Sequence, residues 1–121
     1  MKYDLEERTA KFGENVIEFC RSIQQDPIVK PLISQLIRSA TSIGANYMEA
    51  NQASSKKDFR NKIAISKKEA NETKHWFRMI AKSNPENNPK CKELWKEAHE
   101  FVLIFGKIMN TCDIKVLKID D

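Results

Sequence analysis

PLISQLIRSATSIGANYMEANQASSKKDFRNKIAISKKEANETKHWFRMIAK, residues 31–82, is the stretch whose reading decides the fold. In its second half Phe59, Ile63, Ser66, Ala70, Thr73, Phe77 and Ile80 recur at alternating spacings of 4 and 3. That is the a/d rhythm of a helix packed against near-parallel neighbours. Val29, Ile33, Leu36, Ala40, Ile43, Tyr47 and Ala50 repeat it, and Leu32, Ile37 and Gly44 widen the stripe on its flanks. A stripe of that width suits a bundle core better than a two-stranded seam. Asn51-Gln52-Ala53-Ser54 breaks the rhythm, and Ser55, three residues before Asp58, reads as an N-cap with an acid in the turn that follows. A connection this short makes the two helices antiparallel.

Working outward, a first helix is expected from Asp4 to Gln24, with Leu5, Thr9, Phe12, Val16, Phe19 and Ile23 as its stripe. Gly13 lies off that stripe and weakens the helix by roughly 1 kcal/mol relative to alanine. Gln25-Asp26-Pro27 ends it, and Pro31 fits the first turn of the next helix, where its missing N–H costs nothing. Ser83-Asn84-Pro85-Glu86-Asn87-Asn88-Pro89 is a strong loop signal. A fourth helix then runs to Cys112 on Cys91, Leu94, Ala98, Phe101, Phe105, Ile108 and Cys112, with Trp95, Val102 and Met109 on its flank. The tail Ile114–Asp121 is compatible with fraying, with extending the helix, or with packing on a neighbour. The expected fold is all-α: one domain, an antiparallel up-down-up-down four-helix bundle over residues 4–24, 29–52, 55–83 and 89–112.

A chain of 121 residues is one domain, long enough to bury a core with little to spare. Its three cysteines, Cys20, Cys91 and Cys112, form no CxxC pair. Cys91 and Cys112 fall on core positions and Cys20 flanks the first stripe, so buried free thiols in a reducing compartment are expected rather than a disulfide or a zinc site. The charged N-terminal segment carries no apolar signal region, and no stretch approaches the roughly 18 apolar residues of a membrane span. A soluble, cytoplasmic protein is the expectation.

The net charge of +4 is unevenly spread: residues 55–83 hold nine Lys/Arg against three acids, leaving the remainder of the chain net acidic. Arg60, Lys67 and Lys74 recur every seven residues as one stripe, and Lys57, Lys68, Arg78 and Lys82 lie on the outer faces, with Lys56 at the helix start. Each cation that neutralises a phosphate releases a counterion, so such a surface binds RNA or DNA with steep salt dependence. A-form RNA is read by shape and backbone and needs no base-reading motif. The bland alternative is a solvated helix face on which Glu69 and Glu72 pair with lysines three or four residues away.

Catalytic chemistry finds no foothold. There is no nucleophile–base–orienter set and no glycine-rich phosphate loop. Glu72-x-x-His75 resembles half of a di-iron bundle motif, but His99 has Lys96 rather than an acid three residues before it, and Glu72 and His75 map away from the core. No metal, cofactor or small-molecule substrate is expected. Trp76 and Trp95 flank their stripes, where apolar width serves a subunit interface and, less readily, base stacking.

Three segments go beyond periodicity: QLIRSATSIGANYMEA (Gln35–Ala50), SKKDF (Ser55–Phe59) and KIAISKKEANETKHW (Lys62–Trp76). Their Arg-Ser-Ala element, Ser-Ile-x-Ala-Asn run, Glu-Ala end, Asp-Phe start and Glu-Ala-x-Glu-Thr helix resemble the four-helix bundle proteins known as 23S rRNA intervening-sequence proteins. The match covers residues 32–80 and departs from the pattern only at Tyr47-Met48. That family is similar to the accessory protein of diversity-generating retroelements, a basic pentameric ring that binds nucleic acid and a reverse transcriptase. The resemblance implies a homo-oligomer, a pentamer, with a nucleic-acid role and no catalytic residues. It also singles out Arg38, Ser42, Asn46 and Glu49, which form a polar row beside the apolar stripe, together with Asp58, Glu69 and Glu72. These residues are expected to form a hydrogen-bonded structural seam between helices or subunits, with Arg38 bridging a carboxylate, rather than a ligand site. The expected function is therefore a non-enzymatic nucleic-acid-binding bundle, RNA-associated, presenting Lys56, Lys57, Arg60, Lys67, Lys68, Lys74 and Arg78. The alternative is an oligomeric protein-interaction scaffold whose charges only keep it soluble.

Overall fold

A computed structural model of the chain describes residues 4–120, with side chains through Ile114. Four helices follow one another: α1 (Leu5–Ser22), α2 (Val29–Asn51), α3 (Lys56–Ser83) and α4 (Asn88–Asp120), with a single 3₁₀ turn at Pro85–Asn87 before the last. Short connections fold them up and down into an antiparallel bundle in which α2 packs between α1 and α3, and α3 between α2 and α4.

Local chemistry sets the starts. An Asp4 carboxylate oxygen accepts from the Glu7 amide at 3.2 Å, and Ser55 Oγ accepts from the Asp58 amide at 3.0 Å. Asp26 caps α2, its Oδ1 accepting from the amides of Ile28 and Val29 at 2.9 and 2.8 Å. Such caps satisfy amides that the first helical turn leaves without partners. α3 ends where the Asn84 amide turns back onto the Ile80 carbonyl at 2.8 Å, and Pro85 begins the 3₁₀ turn.

The expected stripes form the core. Phe12, Val16, Leu36, Ile43, Ile63, Phe77, Ile80, Phe101 and Phe105 are all essentially shut off from solvent. Phe12 meets Phe101 and Phe77 edge-on, with ring centroids 5.4 and 6.4 Å apart, an arrangement the ring quadrupoles favour. Polar core residues are satisfied locally. Thr73 Oγ1 donates to the Glu69 carbonyl, and Ser66 Oγ reaches across to the Ile43 carbonyl at 3.1 Å. Burial pushes the Cys20 thiol up to about 12 and the Cys91 thiol up to about 11, so both are protonated core thiols.

The far end of α4 settles one open alternative and changes one expectation. Of the courses open to the tail, it extends the helix, which runs past Cys112 to Asp120, since no glycine or proline interrupts residues 113–120. Cys112 is half-buried rather than in the core. The reason is the unequal length of the partners: α1 has 18 residues and α4 has 33. Arg8, one turn into α1, meets Glu97 and Glu100, so about four turns of α4 pass beyond the start of α1. Tyr47, Phe59, Ile108 and Cys112 cluster toward that end and are correspondingly half-open.

Candidate nucleic-acid interface

Exposed cations line the outer face of α3. Lys57, Lys68, Arg78 and Lys82 fall within about a quarter-turn of one another around the helix axis, all are exposed, and so is Lys56 at the start. None of these five is ion-paired to a carboxylate among the described residues.

The stripe of Arg60, Lys67 and Lys74 is placed differently from an open phosphate ladder. It flanks the core on the side where α4 packs, and all three side chains are half-buried. Arg60 makes a two-pronged pair with Asp113, Nε to Oδ1 at 2.6 Å and Nη2 to Oδ2 at 3.1 Å. This raises the Arg60 pKa and holds the Asp113 carboxyl below its usual range, chiefly through the hydrogen bonds. Lys67 lies along α4 beside Gly106, where an added Cβ would stand 3.7 Å from Nζ. Lys74 Nζ is 3.0 Å from His99 Nδ1 and 4.7 Å from the centroid of the Trp95 ring. These three cations join α3 to α4 before they offer anything to a ligand.

The polar row of α2 divides in two. Arg38 reaches α3, donating from Nη1 to Glu69 Oε2 at 3.1 Å and from Nη2 to Glu72, while its Nε is held by Gln35 at 3.0 Å. Glu49 accepts from Lys62 Nζ at 2.9 Å, which raises the lysine pKa. Ser42 and Asn46 instead turn onto their own helix, Ser42 Oγ donating to the Arg38 carbonyl and Asn46 Nδ2 to the Ser42 carbonyl. Asp58 belongs to the cap of α3. Glu69 and Glu72 therefore do not pair with lysines of their own helix: a guanidinium from α2 takes both. The consequence is electrostatic: one guanidinium offsets part of the charge of two of α3's three acids, and the outward lysines are left without a carboxylate partner among the described residues.

The remaining histidine motif is accounted for locally. Glu72 also accepts from Trp76 Nε1 at 3.3 Å, and His75 is exposed with its ring edge-on to Trp76. Among the described residues no group of three or more His, Cys, Asp or Glu side chains is placed to hold a metal ion, and no helix is long and apolar enough to cross a membrane. Two cations escaped the sequence reading. Lys92 and Lys96 of α4 are exposed and line a groove with Arg78 of α3. Their signal was the spacing of four that brackets Trp95, legible only once α4 is known to lie beside the basic helix.

The family model of the 23S rRNA-intervening sequence protein matches residues 1–107 of the chain. The chain is also similar to a solved structure, a protein of unknown function from the S23 ribosomal protein family of Bacteroides thetaiotaomicron. The two are 29% identical over 86% of this chain and 96% of that one, with a TM-score of 0.76. No curated protein matches.

Proposed function

We propose, from the premise that the chain belongs to the 23S rRNA-intervening sequence protein family, that it is a non-enzymatic bundle that binds folded RNA through the phosphate backbone. The observation that carries this reading is the outer face of α3, where Lys57, Lys68, Arg78 and Lys82 stand exposed while Glu69 and Glu72 are held by Arg38. A face on which exposed cations outnumber the acids, and on which those acids are tied to Arg38, attracts a polyanion and requires no base-specific contact. The protein acts in the cytoplasm as a homo-oligomer, a pentamer by family likeness. The half-open apolar side chains where α4 outruns α1 favour association with further copies.

The test is RNA affinity against salt concentration, with the mass in solution followed by light scattering. Affinity should fall steeply with salt at constant mass. Reversing Lys57, Lys68 and Lys82 to glutamate together should weaken binding and reduce the logarithmic salt slope by roughly 2–3, the share of three phosphate contacts. Arg60 and Lys74 are unsuitable for this purpose, because their reversal would also disturb the α3–α4 contact. No binding at low salt by an intact oligomer would replace this reading with that of a protein scaffold.

A further inference from the structure

The C-terminal half of α3 and the N-terminal half of α4 enclose a groove of about 400 Å³ between them, within the roughly 300–1,000 Å³ of typical ligand pockets. Phe77, Ala81 and Cys91 give it an apolar wall, and Trp95, 37% exposed, stands at its side. The other lining residues are Asn88 and three cations, Arg78, Lys92 and Lys96, with no carboxylate among them. The indole is fixed in place: it stacks on His99 with centroids 5.2 Å apart and planes 17° from parallel, and Lys74 Nζ stands over the ring. His99 and Lys74 are themselves in hydrogen-bond contact, so the platform is set from two helices.

We infer that this groove seats an unpaired base of the bound RNA, stacked against Trp95, with the flanking phosphates on Arg78, Lys92 and Lys96. An apolar slot with a rigid aromatic wall and a cationic rim matches the two chemical halves of a nucleotide, a flat π-surface and an anion. A base inside a duplex has no free face to offer, so the groove selects single-stranded or bulged RNA over continuous helix. Aromatic stacking tolerates any base, because every base has a π-face. The inference rests on the RNA-binding reading above and names which part of the RNA meets this face.

Trp76→Phe leaves Trp95 as the single tryptophan and a fluorescent reporter of the groove. Titration of that protein with an unstructured 10-nucleotide RNA should quench the emission, whereas a blunt RNA duplex of equal length should bind without quenching. Trp95→Ala should lower single-strand affinity by about tenfold or more, the size of one base–aromatic stack, and leave duplex affinity unchanged. Lys92→Glu and Lys96→Glu, both on exposed side chains, should reduce the quenching with the fold intact by circular dichroism. If both RNAs bind without quenching and Trp95→Ala binds them equally well, the stacking seat is overturned and the backbone-binding reading stands. If neither RNA binds at low salt, that reading fails and the seat with it. A fall in oligomeric mass on Trp95→Ala would place a second copy of the chain in the groove and overturn the inference.

Discussion

At the scale of single residues, the most consequential side chain is Arg38, because it decides what charge α3 shows to solvent. Glu69 is only 8% exposed, and a carboxylate so enclosed needs its guanidinium. Arg38→Met removes that partner while keeping a flexible chain over the site. It should cost about 1–3 kcal/mol, the penalty of leaving a buried group unsatisfied. Glu72→Gln acts on the more open of the two carboxylates and should cost under about 1 kcal/mol. Urea unfolding of both variants decides it, and equal losses would mean that burial of Glu69 is not what makes the pair matter. The family resemblance marked Arg38, Ser42, Asn46, Glu49, Asp58, Glu69 and Glu72 as one set, with Arg38 bridging a carboxylate, but it did not show that Ser42 and Asn46 turn back on their own helix. A hydroxyl or amide in mid-helix can satisfy the carbonyl one turn behind it as readily as a neighbour, and spacing alone does not distinguish the two.

Helix pairs were the most legible level, because a 4–3 stripe fixes which face is buried. The stripe does not show how closely two helices approach, and the glycines do. Gly13 lies off the α1 stripe yet is buried against α2, where an added Cβ would meet Thr41 at an ordinary 3.6 Å. A Cβ on Gly44 would come within 3.0 Å of Thr9 Oγ1. Thr9 cannot easily yield, being buried with its hydroxyl bonded to the Leu5 carbonyl at 2.6 Å. Both substitutions to alanine gain helix propensity, up to about 1 kcal/mol. Gly13→Ala should keep that gain and raise the midpoint of thermal unfolding, whereas Gly44→Ala should forfeit it to the clash and lower the midpoint. Two upward shifts would show that propensity, and not the α1–α2 approach, governs these positions. Where α4 ends was illegible for a related reason: the apolar rhythm stops with the core, but a helix continues as long as its backbone meets no breaker.

Across the whole molecule the weak seam is where the first helix meets the last. α2 and α3 are each enclosed by neighbours, but α1 and α4 touch sparingly and leave a groove of about 590 Å³ between them. One arginine spans it. Arg8 donates from Nε and Nη2 to the two Glu97 oxygens at 2.9 and 2.7 Å and from Nη2 to Glu100 at 2.5 Å, and lies 5.2 Å from the Phe101 ring centroid. The hydrogen bonds from Arg8 hold the Glu97 carboxyl below its ordinary 4.5, outweighing the opposing effect of burial. A carboxylate whose pKa is depressed on folding contributes stability that is complete above its unfolded pKa and is lost as the pH falls through the folded one. Acid should therefore loosen the α1–α4 seam below about pH 4.5 and leave it untouched at neutrality. Arg8→Met discards the clamp at every pH. It should be the less stable protein at pH 7, and its urea midpoint should decline less steeply than the parent's between pH 5 and 3, so that the two curves converge. Parallel curves would show that Glu97 titrates alike in the folded and unfolded chains, and that the bundle closes between α1 and α4 on its apolar contacts alone.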